Sequence, residues 1–305
     1  MAKQGFFDIQ LNGYMGVDFH KDDLTTAELR TVCEHLKSHG VDMILATITT
    51  EHIAKMAVRL ANIVKAREQD AFVRKMIPGF HIEGPFLNEQ AGYRGAHPAD
   101  AIHPANADEM KRLLDAAGGL TKLVTLAPER DAGFAVTKML AAQGIKVAAG
   151  HCDPSLDQLN AAIDAGLTHF THLGNGCPMQ MHRSDNIIQR ALSLHEKLWL
   201  CFIADGAHVY LPALGNFLRS CDLNHVVVVT DAISAAGMGP GRFQLGRWDV
   251  QVGKDLVARA PDGSHLVGSA CIMPVAVKNL IEKVGLTEAQ ARKLTVTNPR
   301  KSMGM

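Results

Sequence analysis

The chain has 305 residues, and its 31 basic and 31 acidic side chains give a formal net charge of zero at pH 7. A protein that binds nucleic acid through its phosphates needs a basic surface, so this balance argues against that class. Hydrophobic residues make up 47% of the chain. No apolar run approaches the roughly 20 residues that a membrane-spanning helix requires.

The sequence has no feature that indicates a secreted protein. The N-terminal stretch MAKQGFFDIQ enters a strand-like segment without a signal-peptide pattern. Six cysteines lie at positions 33, 152, 177, 201, 221 and 271, and they form no CxxC pair. In a chain of this length we expect them to be reduced, and we expect a cytoplasmic protein.

Short apolar runs alternate with longer amphipathic stretches along the chain. There are eight such runs: FFDIQL (6–11), MILATIT (43–49), IPGFHIE (77–83), KLVTLA (122–127), KVAAGH (146–151), HFTHLG (169–174), WLCFIAD (199–205) and VVVVTDA (226–232). Continuous apolar runs are typical of buried parallel strands. Helical spacing occupies residues 24–39, 51–69, 107–117, 132–143, 155–165, 211–221 and 273–284.

This alternation predicts an α/β fold, a (β/α)8 TIM-like barrel, with one domain over residues 1–305. The alternative is an open doubly wound sheet, which is disfavoured because no G-x-G-x-x-G follows the first strand. A Gly-rich segment near 240–265 predicts a small β-hairpin excursion, with strands at 243–245, 249–252 and 256–258.

Polar residues stand at the carboxyl ends of the predicted strands. They are Gln10 and Asn12, Glu83, His151, His172, Asp205 with His208, and Asp231. In a barrel these ends meet on one face, where the active sites of such folds are built. A glutamate, two histidines and an aspartate there have the ligand types of a zinc or similar divalent-metal site.

Six segments, in order and spacing, identify a family resemblance: GFFDIQLNG, GFHIEGPFLN, AAGHCDPS, THLGNGCP, IADGAHV and VVVTDAISAAG. Together they resemble the N-acetylglucosamine-6-phosphate deacetylases, metal-dependent hydrolases of the amidohydrolase superfamily. The resemblance implies that Glu83, His151 and His172 are metal ligands and that Asp231 is the catalytic acid/base. Gln10 and Asn12 stand where many amidohydrolases carry His-x-His, which implies one metal ion rather than two.

The same resemblance suggests roles for the substrate-facing residues. His97, in RGAHP, is similar to the family histidine that steadies the acetyl carbonyl oxygen. Asn175 and Gly176 resemble the turn that receives the sugar phosphate, and His208 resembles a substrate-binding histidine. Arg183 resembles a phosphate-binding arginine, which some members supply from a neighbouring subunit.

These residues favour the removal of acetyl from N-acetylglucosamine 6-phosphate, with one zinc ion per chain, or iron, manganese or cobalt in its place. The alternatives are an amidohydrolase acting on another N-acyl sugar or a cyclic amide, and a barrel that binds a sugar phosphate without turnover. Typical relatives also carry a β-sandwich built from both termini, and we expect both of its halves to be absent here. We therefore expect a homo-oligomer in which another subunit covers the barrel flank.

Overall fold

The computed structural model describes residues 4–305, so the first three residues of the N-terminal stretch lie outside it. Eight parallel strands form one sheet in sequence order. They are β1 (Phe6–Leu11), β2 (Val41–Thr49), β3 (Gly79–Glu83), β4 (Thr121–Leu126), β5 (Lys146–Ala149), β6 (Leu167–Phe170), β7 (Trp199–Ile203) and β8 (Val226–Val229). The predicted barrel is confirmed.

Helices follow the strands and cover the outside of the barrel. They are α1 (Thr26–Ser38), α2 (Ile53–Gln69), α3 (Ala71–Met76), α4 (Ala107–Ala116), α5 (Ala135–Ala142), α6 (Leu156–Asp164), α7 (Ile187–Leu192), α8 (Leu211–Ser220), α9 (Met273–Glu282), α10 (Glu288–Arg292) and α11 (Asn298–Ser302). The sequence patterns did not predict α3, α7, α10 and α11. Across residues 4–305, no helix has the length and apolar character needed to cross a membrane.

Two helix starts differ from the prediction for local reasons. The first helix was expected to begin after Asp22 and Asp23, but its N-cap is Thr25, which forms a reciprocal capping box with Glu28. That motif satisfies two orphan N–H groups at once. The fifth helix begins three residues later than predicted, because Gly133 and Phe134 both have positive φ angles and cannot belong to a right-handed helix.

Five strands end earlier than the apolar runs suggested: 122–127 and 199–205 end at Leu126 and Ile203, and the other three end just before a candidate site residue. The predicted strands 146–151 and 226–232 end at Ala149 and Val229, and the predicted strand 169–174 lies at Leu167–Phe170. The cause is the backbone of His151, His172 and Asp231, whose φ angles are +50°, +28° and +52°. A left-handed residue cannot continue a strand, so the three candidate site residues stand just past the ladder, at the barrel mouth.

The barrel interior is a packed apolar plug below that mouth. Its members alternate along the strands and are joined from beneath by the C-terminal segment: Phe7, Ile9, Leu45, Leu123, Ala148, Cys201, Ile203, Val227, Val229 and Met303. A larger cluster fills the space between the strands and the surrounding helices. Above the plug, His81 lies 2.7 Å from the hydroxyl of Thr125, and the candidate site residues follow at the carboxyl ends of the strands.

A buried carboxylate lies in the seam between the first and last strands. Asp8 is 1% exposed, and it accepts hydrogen bonds from the hydroxyl and N–H of Thr230 at 2.5 and 3.3 Å and from the N–H of Gln10 at 3.2 Å. Beyond it, the Asp231 N–H donates to the Gln10 carbonyl at 3.0 Å. Asp8 thus supplies acceptors where the two strands lack a regular ladder.

The predicted hairpin excursion is confirmed as a three-stranded antiparallel sheet. Its strands are β9 (Gly241–Leu245), β10 (Trp248–Val252) and β11 (Ala258–Arg259). Leu245 pairs with Trp248, so a two-residue turn, Gly246–Arg247, joins the first two strands. Gly246 has a φ of +56°, which suits the tight turns that match strand twist.

Candidate active site

Glu83, His151 and His172 converge at the barrel mouth, as the sequence predicted. The Nε2 atom of His172 lies 2.9 Å from Oε1 of Glu83, and Nε2 of His151 lies 3.2 Å from the same oxygen. The two Nε2 atoms are 3.2 Å apart. All three side chains are buried. Three atoms with lone pairs therefore point at one another from three different strand ends.

This triangle has the dimensions of a metal-ligand set. Around a tetrahedral zinc ion with bonds near 2.0–2.1 Å, neighbouring ligand atoms lie about 3.3–3.4 Å apart. The Nδ1 of His151 is 2.8 Å from the carbonyl oxygen of Tyr93, which accepts from Nδ1–H and leaves the Nε2 lone pair directed at the cluster. Such a partner is a common way to fix the tautomer of a ligating histidine. The residues fit a divalent cation.

The electrostatics of the cluster depend on these contacts. Burial disfavours the charge on Glu83, but its contacts with the imidazoles of His151 and His172 outweigh burial and hold the pKa of this carboxyl well below its usual value. Burial also disfavours charge on His172, but its contact with the Glu83 carboxylate raises the pKa of this imidazole. An anionic glutamate among histidines is the charge pattern that a cation requires.

His97 lies closer to the cluster than its predicted substrate role required. Its Nε2 is 3.1 Å from Nε2 of His151 and 3.9 Å from Oε1 of Glu83, and Glu83, His97 and His151 by themselves also have the spacing of a metal-binding group. Burial and then the neighbouring imidazole of His151 hold the pKa of His97 well below its usual value, so the ring is neutral. One of its two nitrogens therefore carries the proton.

Thr50 decides which nitrogen that is. Its Oγ1 lies 2.8 Å from Nδ1 of His97 and 3.2 Å from the carbonyl oxygen of Glu83. If the hydroxyl donates to Nδ1, His97 presents Nε2–H to the cleft and can donate to a substrate oxygen. If it donates to Glu83, His97 presents a lone pair and can act as a ligand. No motif in the sequence pointed to Thr50.

Gln10 and Asn12 act as donors to the two carboxylates of the site. Nε2 of Gln10 lies 3.1 Å from Oε2 of Glu83 and 3.2 Å from Oδ1 of Asp231. Nδ2 of Asn12 donates to the same Oδ1 at 2.7 Å. Burial and the nearby charge of Glu83 raise the pKa of Asp231. The amides thus orient Asp231 and bind its Oδ1.

Of the residues predicted to face the substrate, some line the cleft and Arg183 does not. Asn175 and His208 line the same cleft as Glu83 and Asp231, and Nδ1 of His208 is held by Asp205 at 2.7 Å. Arg183 is exposed and is not among the described residues that line this cleft. The chain therefore does not bring its own Arg183 to its own site.

Gly176 is subject to a packing constraint beside its predicted role in anion binding. The sequence suggested that a glycine here lets the backbone approach an anion. In the structure a Cβ at this position would lie 2.7 Å from Nδ1 of His151, and the φ angle is +62°. The glycine therefore makes room for a ligand-type imidazole.

The tip of the hairpin forms one wall of the cleft, which the sequence did not foresee. Leu245, Gly246, Arg247 and Trp248 line it, opposite the strand ends. The interpretation of 240–265 as an excursion carried no sign that its turn reaches the site. Only the folded arrangement shows it.

No protein-family model matches the chain. Curated relatives match nearly all of it. The chain is 30% identical over 300 residues to an N-acetylgalactosamine-6-phosphate deacetylase of Escherichia coli O157:H7, which covers 98% of the chain and 77% of that protein. It is 32% identical over 311 residues to the N-acetylglucosamine-6-phosphate deacetylase of Mus musculus, with 99% and 74% covered.

Solved structures give the same result. A mutant N-acetyl-D-glucosamine-6-phosphate deacetylase from Mycobacterium smegmatis, in complex with N-acetyl-D-glucosamine-6-phosphate, superposes with a TM-score of 0.89 at 28% identity, over 99% of this chain and 77% of that one. The N-acetylglucosamine-6-phosphate deacetylase from Thermotoga maritima gives 0.86 at 28% identity, over 99% and 78%. The barrel fold is shared with these proteins.

Proposed function

The chain belongs to the family of N-acetylglucosamine-6-phosphate deacetylases, and from this premise we propose that it hydrolyses the acetamide of N-acetylglucosamine 6-phosphate to glucosamine 6-phosphate and acetate. The observation that carries the proposal is one constellation. Asp231, oriented by Gln10 and Asn12, stands beside the buried triangle of Glu83, His151 and His172. This is the set of groups that metal-assisted amide hydrolysis requires.

We assign the metal to Glu83, His151 and His172, with one ion per chain. Two imidazole nitrogens and one carboxylate oxygen suit zinc, and they leave a coordination position open. Iron, manganese and cobalt share these preferences, so metal analysis of the purified protein decides among them. When bound, such an ion lowers the pKa of a water molecule and polarises the acyl carbonyl.

Asp231 is assigned the proton transfers. Burial and the charge of Glu83 raise its pKa, which favours a group that must both accept and donate a proton. It takes a proton from the attacking water and returns one to the leaving nitrogen, so glucosamine 6-phosphate departs as an amine. Gln10 and Asn12 occupy Oδ1 of the carboxylate, which assigns the transfers to Oδ2.

His97 is assigned to the acyl oxygen. This role uses the tautomer with Nε2–H, in which the Thr50 hydroxyl donates to Nδ1. A neutral imidazole can then stabilise charge that develops on the carbonyl oxygen as water adds. His208, held by Asp205, and the Asn175–Gly176 turn are assigned to the sugar and its phosphate.

Arg183 is assigned to a phosphate in the cleft of a neighbouring copy. The side chain is exposed and lies away from the cleft of its own chain. A guanidinium binds phosphate through paired hydrogen bonds, and it can do so across a subunit boundary. The assignment therefore requires a homo-oligomer.

Acetate release from N-acetylglucosamine 6-phosphate by the purified protein tests the proposal, with Asp231→Asn measured beside it. The E. coli relative makes N-acetylgalactosamine 6-phosphate the second substrate to assay, and unphosphorylated N-acetylglucosamine the third. Release that Asp231→Asn abolishes supports the proposal. Bound metal without release from any of the three substrates contradicts it. If Arg183→Ala weakens phosphorylated and plain substrates equally, the phosphate assignment is wrong.

A further inference from the structure

The hairpin tip is fastened over the barrel mouth by polar contacts. The Gly246 N–H donates to Oδ2 of Asp18 at 2.7 Å. Next to it, Arg247 extends its guanidinium across the cleft wall and meets two carboxylates from two other segments of the chain. Arg247 therefore joins three segments that are distant in sequence.

The Arg247 guanidinium contacts both Glu51 and Asp100 through different nitrogen atoms. Its Nε donates to Oε2 of Glu51 at 2.9 Å, and its Nη2 contacts Oε1 of the same carboxylate. Its Nη1 donates to both oxygens of Asp100 at 3.0 Å. The Glu51 side chain is 2% exposed, whereas that of Asp100 is 57% exposed. Because the Arg247 side chain is itself 32% exposed, the pair with Glu51 is partly buried and the pair with Asp100 is a surface pair.

The two carboxylates flank His97. Glu51 directly follows Thr50, whose Oγ1 lies 2.8 Å from Nδ1 of His97. Asp100 comes three residues after His97 at the end of the His97 loop, which we define as residues 91–100. We propose that Arg247 is a positioning residue that holds the His97 imidazole against Thr50 by fixing the chain on both of its sides. The catalytic meaning of that position rests on the proposed function.

The chemistry favours arginine at this position. A planar fork with fixed donor directions can bind two carboxylates at once, whereas an ammonium presents a point charge. A shift of about 1 Å in a catalytic group can cost about 100-fold in rate. A tie of this kind therefore affects turnover even where it contributes little to stability.

If Arg247 had only a structural role, its replacement would have different effects from those expected of a positioning residue. It would lower stability, and its effect on turnover would multiply with that of any other change. If Arg247 acts through His97, its replacement can have no further effect on kcat once His97→Ala has removed the imidazole. Double-mutant cycles separate the two patterns.

The experiment compares Arg247→Lys, His97→Ala and the double variant, with kcat and KM for N-acetylglucosamine 6-phosphate. Arg259→Ala is the matched control, because Arg259 lies in the same small sheet and pairs with the exposed Asp255 at 2.8 Å. We expect Arg247→Lys to lower kcat by about 10- to 100-fold with KM within about threefold. In the His97→Ala background we expect less than a twofold further loss, and Arg259→Ala should behave like the wild type.

Two further measurements keep the outcome decisive. Glu51→Gln with Arg247→Met removes both charges of the partly buried pair and leaves only the exposed Asp100 without its partner. This double variant replaces Arg247→Lys should that variant fold poorly. Amide hydrogen exchange reports the His97 loop directly and needs no turnover. If Arg247→Lys exchanges faster than the wild type only in residues 91–100 and at the hairpin tip, the positioning role of Arg247 is supported even if the proposed reaction fails. Unchanged exchange there, or multiplicative losses in the cycle, overturns it.

Discussion

Replacing Asp8 by asparagine should remove a loss of stability that the wild type shows as the pH rises from 4 to 7. Burial raises the pKa of Asp8 from 3.8 to about 7, although the Thr230 hydroxyl and backbone N–H groups partly oppose that rise. At about 1.4 kcal/mol per pKa unit, ionising this carboxyl costs the folded state about 4 kcal/mol. Below pH 4 the group is protonated in both states. Between pH 4 and 7 only the unfolded chain ionises, so the wild type loses stability as pH rises.

The assay is the free energy of unfolding in urea, measured from pH 4 to 8.5 for the wild type and Asp8→Asn. The value for the variant minus that of the wild type should rise by about 4 kcal/mol between pH 4 and 7 and stay constant above. Asp42→Asn is the control variant, because it also removes a carboxyl but should leave the difference flat over this pH range. Hydrogen bonds from Lys37 and Gly5 outweigh burial and lower the pKa of Asp42, so its difference should change only below pH 4. A flat or falling difference for Asp8→Asn would refute the reasoning.

Three further substitutions test the site. Thr50→Val should lower kcat about tenfold or more while Thr50→Ser retains activity, since only the hydroxyl fixes the His97 tautomer; equal losses in kinetic assays contradict this. Gly176→Ala should weaken metal binding, measured in competition with a chelator, because the new Cβ would meet His151. Gly119→Ala is the control, since φ is +73° there and no described atom lies within 4 Å of its Cβ. It should cost only about 1–2 kcal/mol of stability. Asn12→Leu should lower kcat about 10- to 100-fold by removing a donor to the acid/base carboxylate, and wild-type kcat would count against that role.

The apolar runs predicted all eight barrel strands, because strands buried on both faces leave a continuous hydrophobic signal. The same runs placed Glu83, His151, His172 and Asp231 at one face, because parallel strands share their carboxyl edge. The strand ends were less accurate. A run such as KVAAGH carries no mark that His151 adopts a φ of +50°, since histidine and aspartate tolerate that region without requiring it.

Partners that are distant in sequence could not be predicted. Arg247 and Glu51 are 196 residues apart, and each alone has the pattern of a solvated surface charge. Thr50 has no feature that distinguishes it from Thr49. Asp8 is part of an apolar run, and its acceptor role depends on where the last strand meets the first. Such roles follow from closure of the barrel, and closure is a property of the whole sheet.

The amides of strand β1 bear on how many cations the site can hold. Glu83 gives Oε1 to the imidazole triangle and Oε2 to Gln10, while Asp231 gives Oδ1 to both Gln10 and Asn12. A second ion between these carboxylates would have to displace amide donors that already occupy their lone pairs. Amide donors also satisfy two nearby anions without adding charge, which leaves the negative charge of Glu83 to the first ion. The geometry therefore supports the proposal of one cation beside a free oxygen of Asp231, the carboxylate to which the proton transfers are assigned.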